Sequence, residues 1–518
     1  MEHCLKSSAK STKLREIGNK FYADKNFFDA ILKYNESLCY AENGSDNMGL
    51  AYANRSAVYF EMKLYEKSLR NIELARANNY PEKNYEILKK RESKCQELMK
   101  NSLKTATDLS FFKLSYEPNK DYPSIANCLK LKSDKKYGRH IITNKALAVG
   151  DVIAIEEPVC TVLQEEFLYQ RCSHCLKSNL LDLMPCSLCC QVMFCSNICL
   201  QNAYNSYHRF ECPVSAIITT SFLNANMRMA LRTFFCALAI FDDSLEKLMT
   251  FLTENNLNSI LDCKAELNFK QKILAINSLI FDESIDVNVI LFDELFQLND
   301  KLKEMWISHR DEIITFLKKH TQIGSLNYHE IYGWPLKKGG LYDPEMENFK
   351  GTLAYRRGVS SFANGSYLFC SLVNHSCAPN VAKVFIDDKI IMIVQRPIKA
   401  GSQIFDNYGY SFTNIPREIR QMELQKHYRF TCNCEACSEN FGLLPSLKVV
   451  DKIAFRHAKK SCQELAKMTQ KQAKQRIKEI SGIIQKNFDN FPSVEICSLA
   501  ESFQACMEIM LKPEILIP

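Results

Sequence analysis

The stretch CSHCLKSNLLDLMPCSLCCQVMFCSNICLQNAYNSYHRFEC, residues 172–212, decides how this sequence is read. Two residues separate Cys172 from Cys175 and Cys186 from Cys189; three separate Cys195 from Cys199 and His208 from Cys212. Eight ligands in four pairs suffice for two closed tetrahedral zinc sites with no open position. Cys190 adjoins Cys189, and the two-residue spacing selects Cys189. A segment of about 40 residues cannot bury a core large enough to fold alone, so metal binding must supply its folding energy. A closed site does no chemistry, which makes this module structural or an interaction surface.

Working outward, the 518 residues are too many for one core and imply several domains. The start, Met1-Glu2-His3-Cys4-Leu5-Lys6-Ser7, lacks the apolar core of an export signal. The longest apolar run, near Thr233–Phe241, falls far short of the roughly 20 residues that span a bilayer. A reducing, intracellular location in cytoplasm and nucleus is expected, without membrane association. There the 23 cysteines read as metal ligands where they cluster. The net charge of +7 is spread along the chain, and no helix reads as a basic recognition element, so direct DNA binding is not expected.

Residues 9–100 read as helices only. Leu14, Ile17, Gly18, Phe21 and Tyr22 fall at helical spacing, followed by Ala30, Ile31, Tyr34 and Leu38. The pattern returns 38 residues on, where Ser56-Ala57-Val58-Tyr59-Phe60 echoes Gly18-Asn19-Lys20-Phe21-Tyr22. A small residue at a helix contact, aromatics around it and a period near 34 describe a tetratricopeptide pair. Pro81 then opens a third, capping helix. So short an array is expected to lean on the rest of the protein.

Four separated segments carry chemistry. Tyr137-Gly138-Arg139-His140 is followed by Gly150-Asp151-Val152-Ile153, the first of the β-type runs; Lys389–Val394 is another. The second segment is Ser371-Leu372-Val373-Asn374-His375-Ser376-Cys377-Ala378-Pro379-Asn380. The third, Ile398–Gly409, ends in Asp406-Asn407-Tyr408-Gly409. The fourth is Cys432-x-Cys434-x2-Cys437, behind Tyr428 and Phe430; three cysteines are one ligand short of a tetrahedral site.

These segments, in this order and with the cysteine knot between the first and second, resemble the SET-and-MYND family of protein-lysine methyltransferases. The helical start resembles the branch of that family with a tetratricopeptide domain. Asn374–Asn380 matches the family's Asn-His-Ser-Cys-x-Pro-Asn element almost letter for letter. The resemblance implies S-adenosyl-L-methionine as cofactor, held by Tyr137, Gly138, Arg139, His140, Asn374, His375, Tyr408 and Phe430. It implies Tyr408 as the catalytic residue, and Tyr428 and Phe430 as walls of the channel for the substrate lysine. It further implies three Zn2+. Cys172, Cys175, Cys195 and Cys199 would hold one; Cys186, Cys189, His208 and Cys212 the second; Cys377, Cys432, Cys434 and Cys437 the third.

The expected architecture is therefore α+β and multidomain. It comprises tetratricopeptide repeats (9–100), a linker (101–122), a first SET part (123–171), a MYND zinc finger (172–212), a helical insert (213–350), the SET core (351–412), a post-SET zinc segment (413–440) and C-terminal helices (441–518). Expected partners are protein substrates with a target lysine and, through the MYND finger, proline-rich peptides; the chain is expected to be a monomer. The repeat pair also resembles chaperone-binding domains that clamp a C-terminal carboxylate. Arg15, Asn19, Asn54 and Lys83 match four clamp positions, and Ile87 stands where the fifth, an arginine, belongs. Leu353-Ala354-Tyr355-Arg356-Arg357-Gly358 departs from the family, which often carries a further asparagine there. That departure keeps a second reading in view: a catalytically weak adaptor or transcriptional co-regulator recruiting partners through its finger and repeats.

Overall fold

The computed structural model describes residues 5–99, 109–220, 223–255, 268–337, 359–465, 468–513 and 517–518. The departure from the family at 353–358 lies outside them.

The N-terminal unit is two helical hairpins and a fifth helix: α1 (Ser8–Ala23), α2 (Phe27–Tyr40), α3 (Asp46–Glu61), α4 (Tyr65–Ala77) and α5 (Tyr85–Met99). Ser7, Asn26 and Ser45 each cap a helix start by accepting a backbone N–H from the first turn. Gly18 lets α1 and α2 touch, since a Cβ there would stand 2.5 Å from the Tyr34 ring. At the echo of that position, the Ser68 hydroxyl donates to the Ser56 carbonyl at 2.8 Å and ties α3 to α4.

This unit leans on the cysteine knot through a buried charge network. The Arg55 guanidinium, fully buried, reaches Asp182 Oδ1 at 3.0 Å, Asn71 Oδ1 at 2.8 Å and the Leu183 carbonyl at 2.7 Å. Arg70 meets the other Asp182 oxygen at 3.0 Å, and Asn35 donates to the Tyr169 and Leu181 carbonyls. The helical repeat thus covers its open face with the neighbouring domain.

Short antiparallel sheets form the β core. β1 (Leu129–Asp134) pairs with β2 (Gly138–Thr143), and β3 (Val152–Glu156) pairs with β10 (Lys389–Val394), which also pairs with β9 (Val381–Ile386). β8 (Ser360–Ser366) lies between β4 (Thr161–Leu163) and β7 (Tyr328–Gly333). β5 (Met184–Pro185) and β6 (Met193–Phe194) belong to the knot. The β3–β10 and β4–β8 pairs bring together two halves of the core that lie either side of the knot and a helical insert. That insert contains α6 (Ala225–Ile240), whose Phe234 and Phe235 are buried, and α7 (Asp300–Asn327).

Residues 109–122, expected as linker, instead lie along β3. Ser115 N–H donates to the Val152 carbonyl at 2.9 Å, Tyr116 to Asp151 at 2.7 Å and Tyr122 to Glu156 at 2.7 Å. Tyr122 is buried and Tyr116 half-buried while both hydroxyls find acidic partners, which packs an irregular stretch against the core. Behind the core, α8 (Arg417–Tyr428) precedes α9 (Gln470–Asn487) and α10 (Val494–Met510), and the last two pack on Val152, Ala382 and Val384. No described helix is long and apolar enough to cross a membrane.

Candidate functional site

Glu156 starts the site. Its buried carboxylate accepts the backbone N–H of Phe369 at 2.7 Å and of Cys370 at 2.9 Å, fixing the turn that leads into Val373-Asn374-His375. That segment then runs beside 403–409. Asp406 N–H donates to the Asn374 carbonyl at 2.9 Å, Ser376 N–H to the Asp406 carbonyl at 2.8 Å, and Asn407 Nδ2 to the Ser376 carbonyl at 3.0 Å. Asn380 locks the crossing: its Oδ1 accepts Phe405 N–H at 2.8 Å and its Nδ2 donates to the Gln403 carbonyl at 2.8 Å. A side-chain amide serves here because it can donate and accept at once.

The crossing sets His375 against Tyr408, with ring centroids 5.2 Å apart. Tyr408 N–H donates to His375 Nδ1 at 3.0 Å, so the imidazole carries its proton on Nε2, 3.4 Å from Cys377 Sγ. Burial pushes the His375 pKa down to about 3, and the ring is neutral. The Tyr408 hydroxyl donates to the Val373 carbonyl at 2.9 Å. Burial first, then nearby Asp406, push its pKa up, which keeps the phenol protonated.

Tyr408 and Tyr428 stand 4.8 Å apart, centroid to centroid, on the wall of a cavity of about 1100 Å3. Phe430 does not line that cavity; it lies over His375 at 6.0 Å. Tyr137, Gly138, Arg139, His140, Asn374 and His375 are also absent from its wall. Tyr137, Gly138, Arg139 and His140 lie instead at the β1–β2 turn and the start of β2, where Asn374 Nδ2 donates to the Tyr137 carbonyl at 3.0 Å. Gly138 has φ +61°, and a Cβ there would meet nothing within 4 Å. His140 is buried, its Nδ1 2.9 Å from the Gly138 carbonyl, while Arg139 reaches the Ser278 carbonyl at 3.4 Å. Tyr408 thus lies between an open, polar face and a separate cavity.

Twelve sulfur and nitrogen ligands form three clusters, each with its donor atoms within 4.8 Å of one another. The first is Cys172, Cys175, Cys195 and Cys199; the second Cys186, Cys189, His208 and Cys212; the third Cys377, Cys432, Cys434 and Cys437. Cys175 and Cys195 sulfurs are 3.5 Å apart, Cys186 and Cys212 3.8 Å, and Cys377 and Cys437 3.6 Å. Tetrahedral zinc with bonds of about 2.3 Å needs sulfurs about 3.8 Å apart, so the donor sets fit that ion. Around the third cluster, Arg420 Nη2 lies 3.6 Å from Cys437 Sγ, and Cys377 N–H lies 3.4 Å from Cys434 Sγ. A cation and an N–H donor suit thiolates. The third cluster pulls the segment after Phe430 onto Cys377, beside His375.

In the helical unit, Asn54 Nδ2 donates to Asn19 Oδ1 at 2.7 Å, so two of the residues expected at clamp positions meet. Sequence reasoning missed Lys383 and Asp406, whose side chains pair in the cavity wall. Their signal was a lysine at the centre of an apolar strand, Val381-Ala382-Lys383-Val384-Phe385-Ile386.

Residues 138–409 match the family model of the SET domain. The zebrafish (Danio rerio) Protein-lysine N-methyltransferase SMYD4 is 22% identical over 505 residues, covering 84% of this chain and 66% of the relative. The human protein of that name is 23% identical over 539 residues, with 82% and 66% covered. The Arabidopsis thaliana Histone-lysine N-methyltransferase ASHR1 is 23% identical over 321 residues, with 61% and 56% covered. The matched part of this chain spans 66% of the length of the zebrafish and human relatives.

Proposed function

The chain belongs to the SET-domain family, and on that premise we propose that it is a protein-lysine N-methyltransferase dependent on S-adenosylmethionine. One observation carries the reading: the crossing of 373–377 with 404–409, which seats Tyr408 between His375 and the cavity. Relatives with methyltransferase names over most of the chain support it. When bound, S-adenosylmethionine supplies a methyl group on a sulfonium, the electrophile of the transfer. Asn374, Gly138 with its open space, Tyr137 and Phe430 over His375 are proposed to hold it.

The protein's own part is orientation and electrostatics. A lysine amine is a nucleophile only when neutral, and its ordinary pKa is about 10.4. The aromatic wall of Tyr408 and Tyr428 disfavours the ammonium by desolvation. Tyr408 spends its hydroxyl proton on the Val373 carbonyl, which leaves its oxygen lone pairs to accept an N–H of the acceptor amine. As a protonated phenol it orients and does not act as a base.

The three clusters are assigned three Zn2+, the knot is read as a MYND finger and the helical hairpins as tetratricopeptide repeats. Leu188, Ile198 and Tyr204, exposed on the knot, support a protein-binding surface for proline-rich peptides. The same surface is what a catalytically weak adaptor would use. Chaperone C-terminal tails are proposed for the helical unit, and cytoplasm and nucleus as locations.

The test is zinc-replete protein with radiolabelled S-adenosylmethionine and a whole-cell extract. Labelled bands are expected that vanish with Tyr408→Phe and with Asn374→Ala. No label, together with no cofactor binding by calorimetry, would replace the enzyme with the adaptor.

A further inference from the structure

Along β9 the pleat sends alternate side chains to opposite faces. Ala382 and Val384 pack on the C-terminal helices; Lys383, on the opposite face, meets Asp406 in the wall of the cavity that Tyr408 and Tyr428 also line. Its side chain is 21% exposed, and its ammonium is paired with Asp406, which is 3% exposed and two residues before Tyr408. Burying a charge costs several kcal/mol, and a buried pair is often no more stable than two apolar residues of similar size. Stability therefore does not explain the pair; its position against the reacting end of the cavity does.

Of the charged groups that act on Tyr408 and Tyr428, Asp406 is buried and Lys383 half-buried. His329 and Cys370 are neutral, burial pushing the imidazole down and the thiol up. Burial likewise pushes the phenols of Tyr332, Tyr408 and Tyr428 up. Glu330 is exposed and accepts the Tyr332 hydroxyl, and Glu423 is engaged by His427 at 3.2 Å. Burial opposes the Lys383 charge, but Asp406 more than offsets it and holds the ammonium.

We infer that the Lys383–Asp406 pair determines specificity for the acceptor: Lys383 neutralises the buried carboxylate beside Tyr408, so the cavity retains no ammonium and takes its amine neutral. This rests on the methyl-transfer reading of the same cavity. The acceptor loses a proton to solvent before transfer. Its nitrogen lone pair then forms the N–C bond while the methyl–sulfur bond breaks and that electron pair goes to sulfur. Without Lys383, the Asp406 anion would hold the ammonium and withhold the lone pair.

The first measurement needs no turnover. The full chain, zinc-loaded and with S-adenosylhomocysteine, is titrated calorimetrically with n-butylammonium chloride as a lysine mimic. Wild type should not bind measurably, K383M should bind at least tenfold tighter, and K383M/D406N should return to the wild-type result. In labelling of a whole-cell extract, the K383M pH profile should move up by about one unit or more, and that of D406N down. Should K383M fail to fold, the downward shift of D406N carries the test. Equal amine binding by wild type and K383M, or unmoved profiles in both single variants, would overturn the proposal. Amine binding in the stated order without methyl transfer by the wild type would support the pair's role and count against the methyltransferase reading alone.

Discussion

The Tyr408 amide donates to His375 Nδ1 at 3.0 Å, and this one bond joins the candidate catalytic phenol to the third cysteine cluster. With Nδ1 committed as acceptor, the imidazole N–H sits on Nε2 and faces Cys377 Sγ at 3.4 Å. His375→Ala removes both ends of that link. Such outer-shell partners are worth about 10–100-fold in metal affinity. The variant should lose zinc to a competing chelator that much more readily at one of its sites, and should lose methyl transfer as well. Unchanged zinc retention would show that the ring does not support the cluster.

The intact protein should carry three zinc ions, one for each cluster. Elemental analysis should find the number falling to two in Cys434→Ser and in Cys189→Ser. Cys190→Ser should keep all three, because Cys190 stands outside the second cluster despite adjoining Cys189. Equal loss from Cys189→Ser and Cys190→Ser would reverse that assignment.

Asp182 holds the helical unit to the knot. Its oxygens meet Arg55 and Arg70 at 3.0 Å each, and Arg55 has no exposed surface. Asp182→Ala leaves a buried guanidinium uncompensated, a change that costs about 3–5 kcal/mol. Urea denaturation should report a loss of that size. A loss below about 1 kcal/mol would mean that water replaces the carboxylate and the interface is looser than the hydrogen bonds imply.

His320 lies buried in α7, stacked on Phe316 at 4.0 Å, with neither ring nitrogen hydrogen-bonded. Burial holds its pKa down to about 3, against an ordinary 6.5. A depressed histidine contributes stability that is present above pH 6.5 and is lost as pH falls towards 3, since the unfolded chain takes up the proton first. His320→Leu should flatten this component. The variant should gain on wild type between pH 7 and pH 5 in denaturation experiments, and parallel curves would refute the assignment.

What a single sequence makes legible here is local. Apolar residues at helical spacing around Gly18 and Tyr34 announce a hairpin because 3.6 residues per turn puts them on one stripe. Thiols two or three residues apart announce metal ligands, since a short loop can bring both to one ion. Asn374-His375-Ser376-Cys377 and Asn407-Tyr408-Gly409 stand out for the same reason: their chemistry is carried by near neighbours in the chain.

The structure alone decided contacts between distant residues. Arg55 and Asp182 are 127 positions apart, and nothing near either one announces the other. Tyr116 and Tyr122 read as linker until Asp151, just before β3, and Glu156, at its end, supply partners. Phe430 sits over His375, not in the cavity, because the third cluster draws the chain that follows it onto Cys377. By itself the sequence determined the ligand types, the helices and the order of the site segments, since spacing along one chain sets all three. The family resemblance already implied how the ligands partition; only the tertiary structure decided that Lys383 meets Asp406 beside Tyr408. Burial, and with it the cost of a charge, depends on what folds over a residue from elsewhere in the chain.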